Sequence, residues 1–149
     1  MVRVSKLDRA VDNLFVTIPL LFKTLFHDPE TLGHDPMSTD FRLLAILMRR
    51  GPLPISKTAK ILAVSKSNMT KVLNKLIEEG RIESRIDSND KRVTMIEITN
   101  EGILYLEGCM KSTKDLARQR LQDLKIDERE AFFSATEALG NILTKINEG

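Results

Sequence analysis

Within residues 65–75 the sequence mixes hydroxyl, amide and ammonium side chains that can bind a nucleic acid. Ser67, Lys71 and Asn74 recur at spacing i, i+4 and i+7, which places them on one face of a helix. Asn pairs with the edge of adenine, Lys with guanine or phosphate, and Ser with either. Residues 54–75 contain five lysines and no acid. The pattern indicates a helix that enters the major groove of DNA, although a solvated basic helix would also show it.

A second group of charges stands where two short strands should meet. Residues 81–87 and 92–98 alternate as antiparallel strands do, and the loop between them ends in Asp90, Lys91 and Arg92. An Arg side chain is favoured in a narrow minor groove by the negative potential there. We expect the acidic side chains at this tip to hold the basic ones in place. A salt-bridged turn without DNA contact is the alternative.

Together the helix and the hairpin tip define the predicted DNA-binding set. Its members are Ser65, Lys66, Ser67, Asn68, Thr70, Lys71, Asn74, Lys75, Asp90, Lys91 and Arg92. No catalytic residue, metal ligand or cofactor is predicted, because the sequence has no Gly-rich phosphate loop and no nucleophile with a convincing base. We therefore do not expect an enzyme.

Composition and charge restrict the class of protein. The chain has 149 residues, of which 42% are hydrophobic and 30% charged, as in a folded domain. The net charge is only +2, but residues 38–99 carry twelve basic and seven acidic side chains. No apolar run has the ~18 residues of a membrane span, and no signal-peptide pattern is present. With a single cysteine, the sequence predicts a cytoplasmic protein without disulfides or membrane partners.

The periodicity predicts helices, a compact hairpin, then helices again. The expected segments are a helix over 5–27 that Pro19 kinks or breaks, a loop HDPETLGHDP, helices over 38–50, 54–62 and 65–79, strands over 81–87 and 92–98, a helix from a Thr99 cap to about Gln122, and a last helix from Asp127. The fold class is therefore mainly α with a small β-hairpin.

The helix over 65–79 should bury one stripe and expose the other. Its apolar side chains recur at i, i+3, i+4, i+7 and i+8: Met69, Val72, Leu73, Leu76 and Ile77. A helix over 54–62 with Ile55, Ala59 and Leu62 inward precedes it, and the short link has the size of a helix-turn-helix turn. The small Ala59 lets the two helices pack closely.

These residues resemble the winged-helix repressors of the multiple antibiotic resistance regulator (MarR) family. The resemblance is carried by ILAVSKSNMTKVLNKLIEEGRIE and RIDSNDKRVTMIEITNEG, and most specifically by Val64-Ser65-x-Ser67, Met69-Thr70-Lys71, Leu76, Gly80, the wing from Asp87 to Arg92 and Ile98-Thr99-x-x-Gly102. The chain departs from the family at Thr58, where Leu is usual and looser packing is expected, and at Asn89, where Arg is frequent.

The resemblance implies a homodimeric regulator, more a repressor than an activator, on a palindromic DNA operator. It implies one domain over 1–149, with a winged helix-turn-helix DNA-binding lobe over 38–99 and a helical dimerisation region over 1–30 and 100–149. Helix 65–79 would lie in the major groove and wing 86–93 in the minor groove. A small effector resembling an aromatic acid, in a pocket whose residues the sequence does not identify, would release the DNA.

Apolar side chains at both ends of the chain agree with a dimer. A single small lobe cannot cover all of them: Phe15, Phe22, Leu25, Phe26, Leu121, Phe132, Phe133, Leu139, Ile142, Leu143 and Ile146. A two-fold interface would hide them. The rival interpretation of the whole chain is a winged-helix module that docks proteins and binds no specific DNA.

Cys109 and the loop with His27 and His34 are two further candidate sensors. Cys109 has Lys111 and Lys114 nearby, which favours a thiolate, but a lone cysteine on a helix is more often a small packed hydrophobe. The loop with His27 and His34 also contains carboxylates that could hold a metal, although a polar loop explains the same residues.

Overall fold

The computed structural model describes residues 4–148, in which seven α-helices and three short strands follow one another. The elements are α1 (Lys6–Leu21), a π-helical turn (Phe22–Phe26), α2 (Pro29–Leu32), α3 (Thr39–Arg50), β1 (Leu53–Pro54), α4 (Ile55–Leu62), α5 (Lys66–Glu78), β2 (Ile82–Ile86), β3 (Thr94–Ile98), α6 (Asn100–Gln122) and α7 (Ile126–Glu148). The mainly helical class with a small hairpin is confirmed. Among the described residues, no helix is both long and apolar enough to cross a membrane.

The chain divides into two compact units. One, which we call the lobe, runs from His27 to Thr113 and contains the whole of residues 38–99. The other, the terminal unit, combines the chain up to Phe26 with the chain from Lys114 onward. Helix α6 belongs to both units, its first part to the lobe and its second to the terminal unit.

The core of the lobe lies between α3, α4, α5 and the sheet. Its fully buried apolar side chains are Leu43, Leu44, Leu47, Leu62, Met69, Leu76, Ile82, Ile96 and Leu106. Ile77 was predicted to join them but is 40% exposed, so that prediction is wrong. The reason is geometric: Ile77 lies at the edge of the apolar stripe, beyond the surface that α3 and the sheet cover.

The sheet of the lobe has three antiparallel strands in the order β1-β3-β2. Its hairpin pairs Ile82 with Ile98 and Ile86 with Thr94, within the ranges predicted for the two strands. The third strand was missed: Leu53 pairs with Ile96, and Pro54 completes this short edge. Two residues are too few for an alternating pattern to reveal them.

Side-chain caps and glycines fix the ends of α3 and α2. Ser38 caps α3 by accepting a hydrogen bond from Phe41 N at 3.2 Å, and Gly51 ends the helix with φ 77°. The predicted loop after α1 contains one unpredicted helical turn, α2. There Asp28 accepts from Thr31 N at 3.2 Å, and Gly33 closes the turn with φ 68°.

Pro19 does not break α1, contrary to one of the two outcomes expected of it. The helix continues through Pro19 to Leu21, and the departure from α-geometry is the π-helical turn that follows. In the terminal unit Arg120 Nη1 donates to Thr24 O of this turn at 2.6 Å.

The terminal unit leaves much apolar surface uncovered in one copy of the chain. On α1, Leu7 is 72% and Phe15 78% exposed. On α7 the exposed side chains include Phe133, Leu139, Ile142, Leu143 and Ile146. Leu25, predicted to be part of this surface, is instead buried within the chain. Monomeric proteins rarely leave so large an apolar area in water.

Candidate nucleic-acid interface

The turn between α4 and α5 sets the angle of the two helices. Helix α4 ends at Ala63, whose φ of 54° is left-handed, and Val64 N donates to Ala59 O at 3.2 Å. Ser65 then starts α5 by accepting from Asn68 N at 3.2 Å. The geometry is that of the predicted helix-turn-helix.

Thr58, the departure from the family pattern in α4, is fully buried. Its Oγ1 donates to Pro54 O at 2.9 Å, which satisfies the hydroxyl inside the core. The looser packing expected at this position is therefore not seen, because the side chain is enclosed and hydrogen-bonded.

Helix α5 presents a polar face to solvent, as predicted. Met69, Val72, Leu73 and Leu76 are buried against the lobe. The predicted DNA-binding residues of this helix and its cap are all exposed: Ser65, Lys66, Ser67, Asn68, Thr70, Lys71, Asn74 and Lys75. These side chains therefore lie on the solvent-facing side of α5 and its cap.

Four of these residues already make side-chain contacts within the chain, one of them between Ser65 Oγ and Ser67 Oγ at 3.2 Å. The Ser65 hydroxyl caps the helix, and Thr70 Oγ1 donates to Lys66 O at 2.9 Å. The Lys75 ammonium forms an ion pair with Asp40, in the first turn of α3. The hydrogen bond to Asp40, and then its charge, raise the pKa of Lys75 above the usual value of a lysine. Sequence patterns gave no sign of this pair, because its members are 35 residues apart.

Hydrogen bonds join the C-terminal end of α5 to the start of α6. Gly80 ends the helix with φ 71°, and its carbonyl accepts from Thr99 Oγ1 at 2.6 Å. Thr99 N donates to Arg81 O at 3.0 Å, while Thr99 Oγ1 accepts from Gly102 N at 3.0 Å. One threonine thus caps α6 and holds the end of α5, which gives the motif Thr99-x-x-Gly102 a physical reason.

A small polar cavity of about 180 Å³ lies in the lobe beside this junction. Lys75, Asp40, His34, Arg81 and Tyr105 contribute to its lining. The guanidinium Cζ of Arg81 is 3.4 Å from the centroid of the Tyr105 ring, a cation–π contact. Burial is the main cause that raises the pKa of Tyr105.

At the tip of the wing, Asp90 holds a basic side chain as predicted, whereas Asp87 bonds a main-chain N–H instead. Asp90 accepts from Arg92 N at 3.0 Å and from Arg92 Nε at 3.1 Å. The Arg92 hydrogen bonds lower the pKa of Asp90, and the Arg92 side chain is still 90% exposed. The Asp87 carboxylate accepts a hydrogen bond from Asp90 N at 3.3 Å. Lys91 is exposed.

The two alternative sensor sites find little support in the geometry. His34 faces Leu32 O and Thr113 Oγ1, each at 3.0 Å, and stacks on Phe41, so it is used inside the lobe. Within residues 4–148, no group of three or more His, Cys, Asp or Glu side chains could hold a metal ion. Cys109 is only 7% exposed on α6, as a packed hydrophobe would be.

Sequence comparison places the lobe among known regulators. The model of the MarR family matches residues 38–94. The multiple antibiotic resistance protein MarR of Salmonella typhimurium is 28% identical over 95 residues, which are 63% of this chain and 66% of that protein. The HTH-type transcriptional regulator YkoM of Bacillus subtilis is 30% identical over 107 residues, 69% of this chain and 68% of that one. The chain thus spans about two thirds of the length of these curated relatives.

Solved structures share the fold over nearly the whole chain. The transcriptional regulator Tm0710 of Thermotoga maritima superposes with a TM-score of 0.71 at 17% identity, covering 95% of this chain and 99% of that one. A MepR-like protein crystallised with pseudoligands is 26% identical, with a TM-score of 0.54 and 91% and 94% coverage. The lobe is therefore a winged helix-turn-helix. The chain belongs to the MarR family.

Proposed function

We propose that this protein is a sequence-specific regulator of transcription that binds double-stranded DNA, and that it acts in the cytoplasm as a repressor. The observation that carries the proposal is the exposed polar face of α5, which carries no acid before Glu78, on a capped helix-turn-helix. A helix of this width fits the major groove, where Asn and Lys discriminate base edges. The regulatory role of the curated relatives supports the same conclusion.

Within the interface, the side chains are assigned to two kinds of DNA contact: base edges, and phosphate or the minor groove. Ser67, Asn68, Lys71 and Asn74 are exposed and are assigned to base edges, and the Ser67 hydroxyl lies 3.2 Å from that of Ser65. The groups assigned to phosphate or to the minor groove lie at the start of the helix and on the wing: Ser65, Lys66, Thr70, Asp90, Lys91 and Arg92. Asp90 serves by orienting Arg92.

The active form is a homodimer in this proposal. Its support is the exposed apolar surface of the terminal unit, on both α1 and α7. Two copies joined through these helices would present two lobes to a palindromic operator, with half-sites ~34 Å apart, about one turn of DNA.

Release from DNA is assigned to a small organic effector, of the aromatic-acid type that the family resemblance implies. Support comes from a MepR-like protein of similar fold, which was crystallised in complex with pseudoligands. An effector acts if it binds one spacing of the two lobes better than the spacing that fits the operator.

The test is duplex binding by the full-length protein as a function of salt, with Lys71→Gln as the probe. Wild-type affinity should fall steeply as salt rises, because phosphate neutralisation releases counterions. Lys71→Gln should weaken binding to the preferred duplex more than binding to random duplex. Lys125→Gln, an exposed lysine between α6 and α7, is the matched control and should change neither. Weak binding to every duplex without salt dependence would favour the protein-docking module.

A further inference from the structure

One cation of the candidate interface is already neutralised by the lobe. Lys75 lies one helical turn after Lys71 on α5, on the same flank as Asn68. Its ammonium is bound to the Asp40 carboxylate of α3, and no other cation of α5 has an ion pair among the described residues.

The carboxylate is the fixed member of this pair. Asp40 lies in the first turn of α3, where negative charge is favoured by the helix N-terminus. The same helix is anchored by Leu43, Leu44 and Leu47, all buried in the core, and α3 packs on α5. The Asp40 side chain is 26% exposed and the Lys75 side chain 58%. The flexible lysine has therefore folded toward a carboxylate whose position the core determines.

This contact opposes DNA binding by Lys75. A phosphate can take the ammonium only by separating it from Asp40, and it would then stand near an uncompensated carboxylate of the same charge sign. Lys66 and Lys71 differ from Lys75, because both are exposed and neither has an acidic partner among the described residues.

We propose that Asp40 is a positioning residue that keeps Lys75 out of the DNA-contacting set and so limits the sequence-independent affinity of the lobe. This inference rests on the proposed DNA-binding function. In the proposed arrangement the Asp40 carboxylate binds the Lys75 ammonium in place of a DNA phosphate. Loss of the Asp40 charge would add one cation per lobe to the interface.

The experiment is a double-mutant cycle on binding to random duplex, measured at several salt concentrations with the full-length protein. The variants are Asp40→Asn, Lys75→Gln and both together. Asp40→Asn should steepen the dependence of log affinity on log salt by about 0.9 for each lobe. Between 50 and 200 mM salt, that is an additional loss of about 3.5-fold for one lobe, and roughly twelvefold for two. Lys75→Gln alone should leave the slope unchanged, and it should abolish the effect of Asp40→Asn.

The control is Glu30→Gln, which removes an exposed acid from the first turn of α2 in the same lobe. It should raise affinity without steepening the slope, or change nothing. If Asp40→Asn has no effect on the slope while wild type binds DNA with salt dependence, the inference fails and the proposed function stands. If Lys75→Gln alone flattens the slope, Lys75 contacts DNA despite Asp40, and the inference is again wrong. If wild type binds no duplex, both fail.

Discussion

Gly102 and Arg81 approach each other so closely that any side chain at position 102 would force the main chain to shift. A Cβ atom there would overlap the Arg81 carbonyl oxygen and come within 2.7 Å of Ile98 Cγ1. The contact joins the first turn of α6 to the segment that follows α5, where Thr99 also bonds both Gly80 and Arg81. The segment that follows α5 is thus tied by main-chain atoms to the first turn of α6.

Gly102→Ala should destabilise the protein by about 1–3 kcal/mol, because a backbone oxygen cannot move aside as a flexible side chain would. Gly108→Ala is the control in the same helix, since a Cβ there meets nothing within 4 Å. It should stabilise by up to about 1 kcal/mol through helix propensity. Urea denaturation followed by circular dichroism measures both. Equal effects of the two substitutions would mean that the contact with Arg81 is not close.

Thr58→Val should cost about 1 kcal/mol of unfolding free energy, because the shape is kept while the hydrogen bond to Pro54 O is lost. Thr58→Leu, which restores the residue usual in the family, should cost about 1–3 kcal/mol in this fully enclosed site. Ser56→Ala, exposed on the same helix, should stay within about 0.5 kcal/mol. If Thr58→Leu stabilised the protein, the site would have more free volume than the structure shows.

The turn of the wing should weaken in acid. Hydrogen bonds from Arg92 lower the pKa of Asp90 below its ordinary value of 3.8. A carboxyl with a lowered folded-state pKa stabilises the fold above the unfolded value and loses that contribution as pH falls through the folded value. The Asp90–Arg92 contact should therefore be complete above about pH 3.8 and be lost only as the pH falls further, through the lowered pKa of Asp90. Carboxyl carbon NMR measures the titration of Asp90. Its midpoint should rise in Arg92→Gln; an unchanged midpoint would assign the shift to another cause.

Arg92→Ala should lower duplex affinity while leaving the preferred bases unchanged, since a minor-groove contact reads width and potential more than base identity. Asp90→Asn should produce a smaller loss, because the guanidinium stays but is no longer oriented. Arg118→Ala, on α6 in the terminal unit, is the control of equal charge. Affinity equal to wild type in Arg92→Ala would remove the wing from the interface.

Much of the fold could be predicted because helix ends are decided by neighbouring residues. Ser38, Ser65 and Thr99 each accept a hydrogen bond from a main-chain N–H three residues later. Gly51 and Gly80 supply the positive φ that a helix end needs. These are local contacts, so the amino-acid types at fixed spacing are sufficient to reveal them.

What the sequence did not reveal depends on contacts between distant segments. Strand β1 exists because β3 pairs with it, and Ile77 is 40% exposed at the edge of the apolar stripe of α5. Likewise Lys75 was grouped with the other lysines of the face, although Asp40 on another helix neutralises it. Spacing along one helix identifies a face, but it does not show which distant side chain reaches that face.

The most direct test of the central claim is selection of bound sequences from a random pool of DNA duplexes by the full-length protein. The account predicts enrichment of a palindrome whose half-sites lie about one helical turn apart, as two α5 helices in adjacent major grooves require. Enrichment should be lost when Asn68, Lys71 and Asn74 are replaced together by Ala. A pool that remains random with the wild-type protein would contradict sequence-specific DNA recognition by this face.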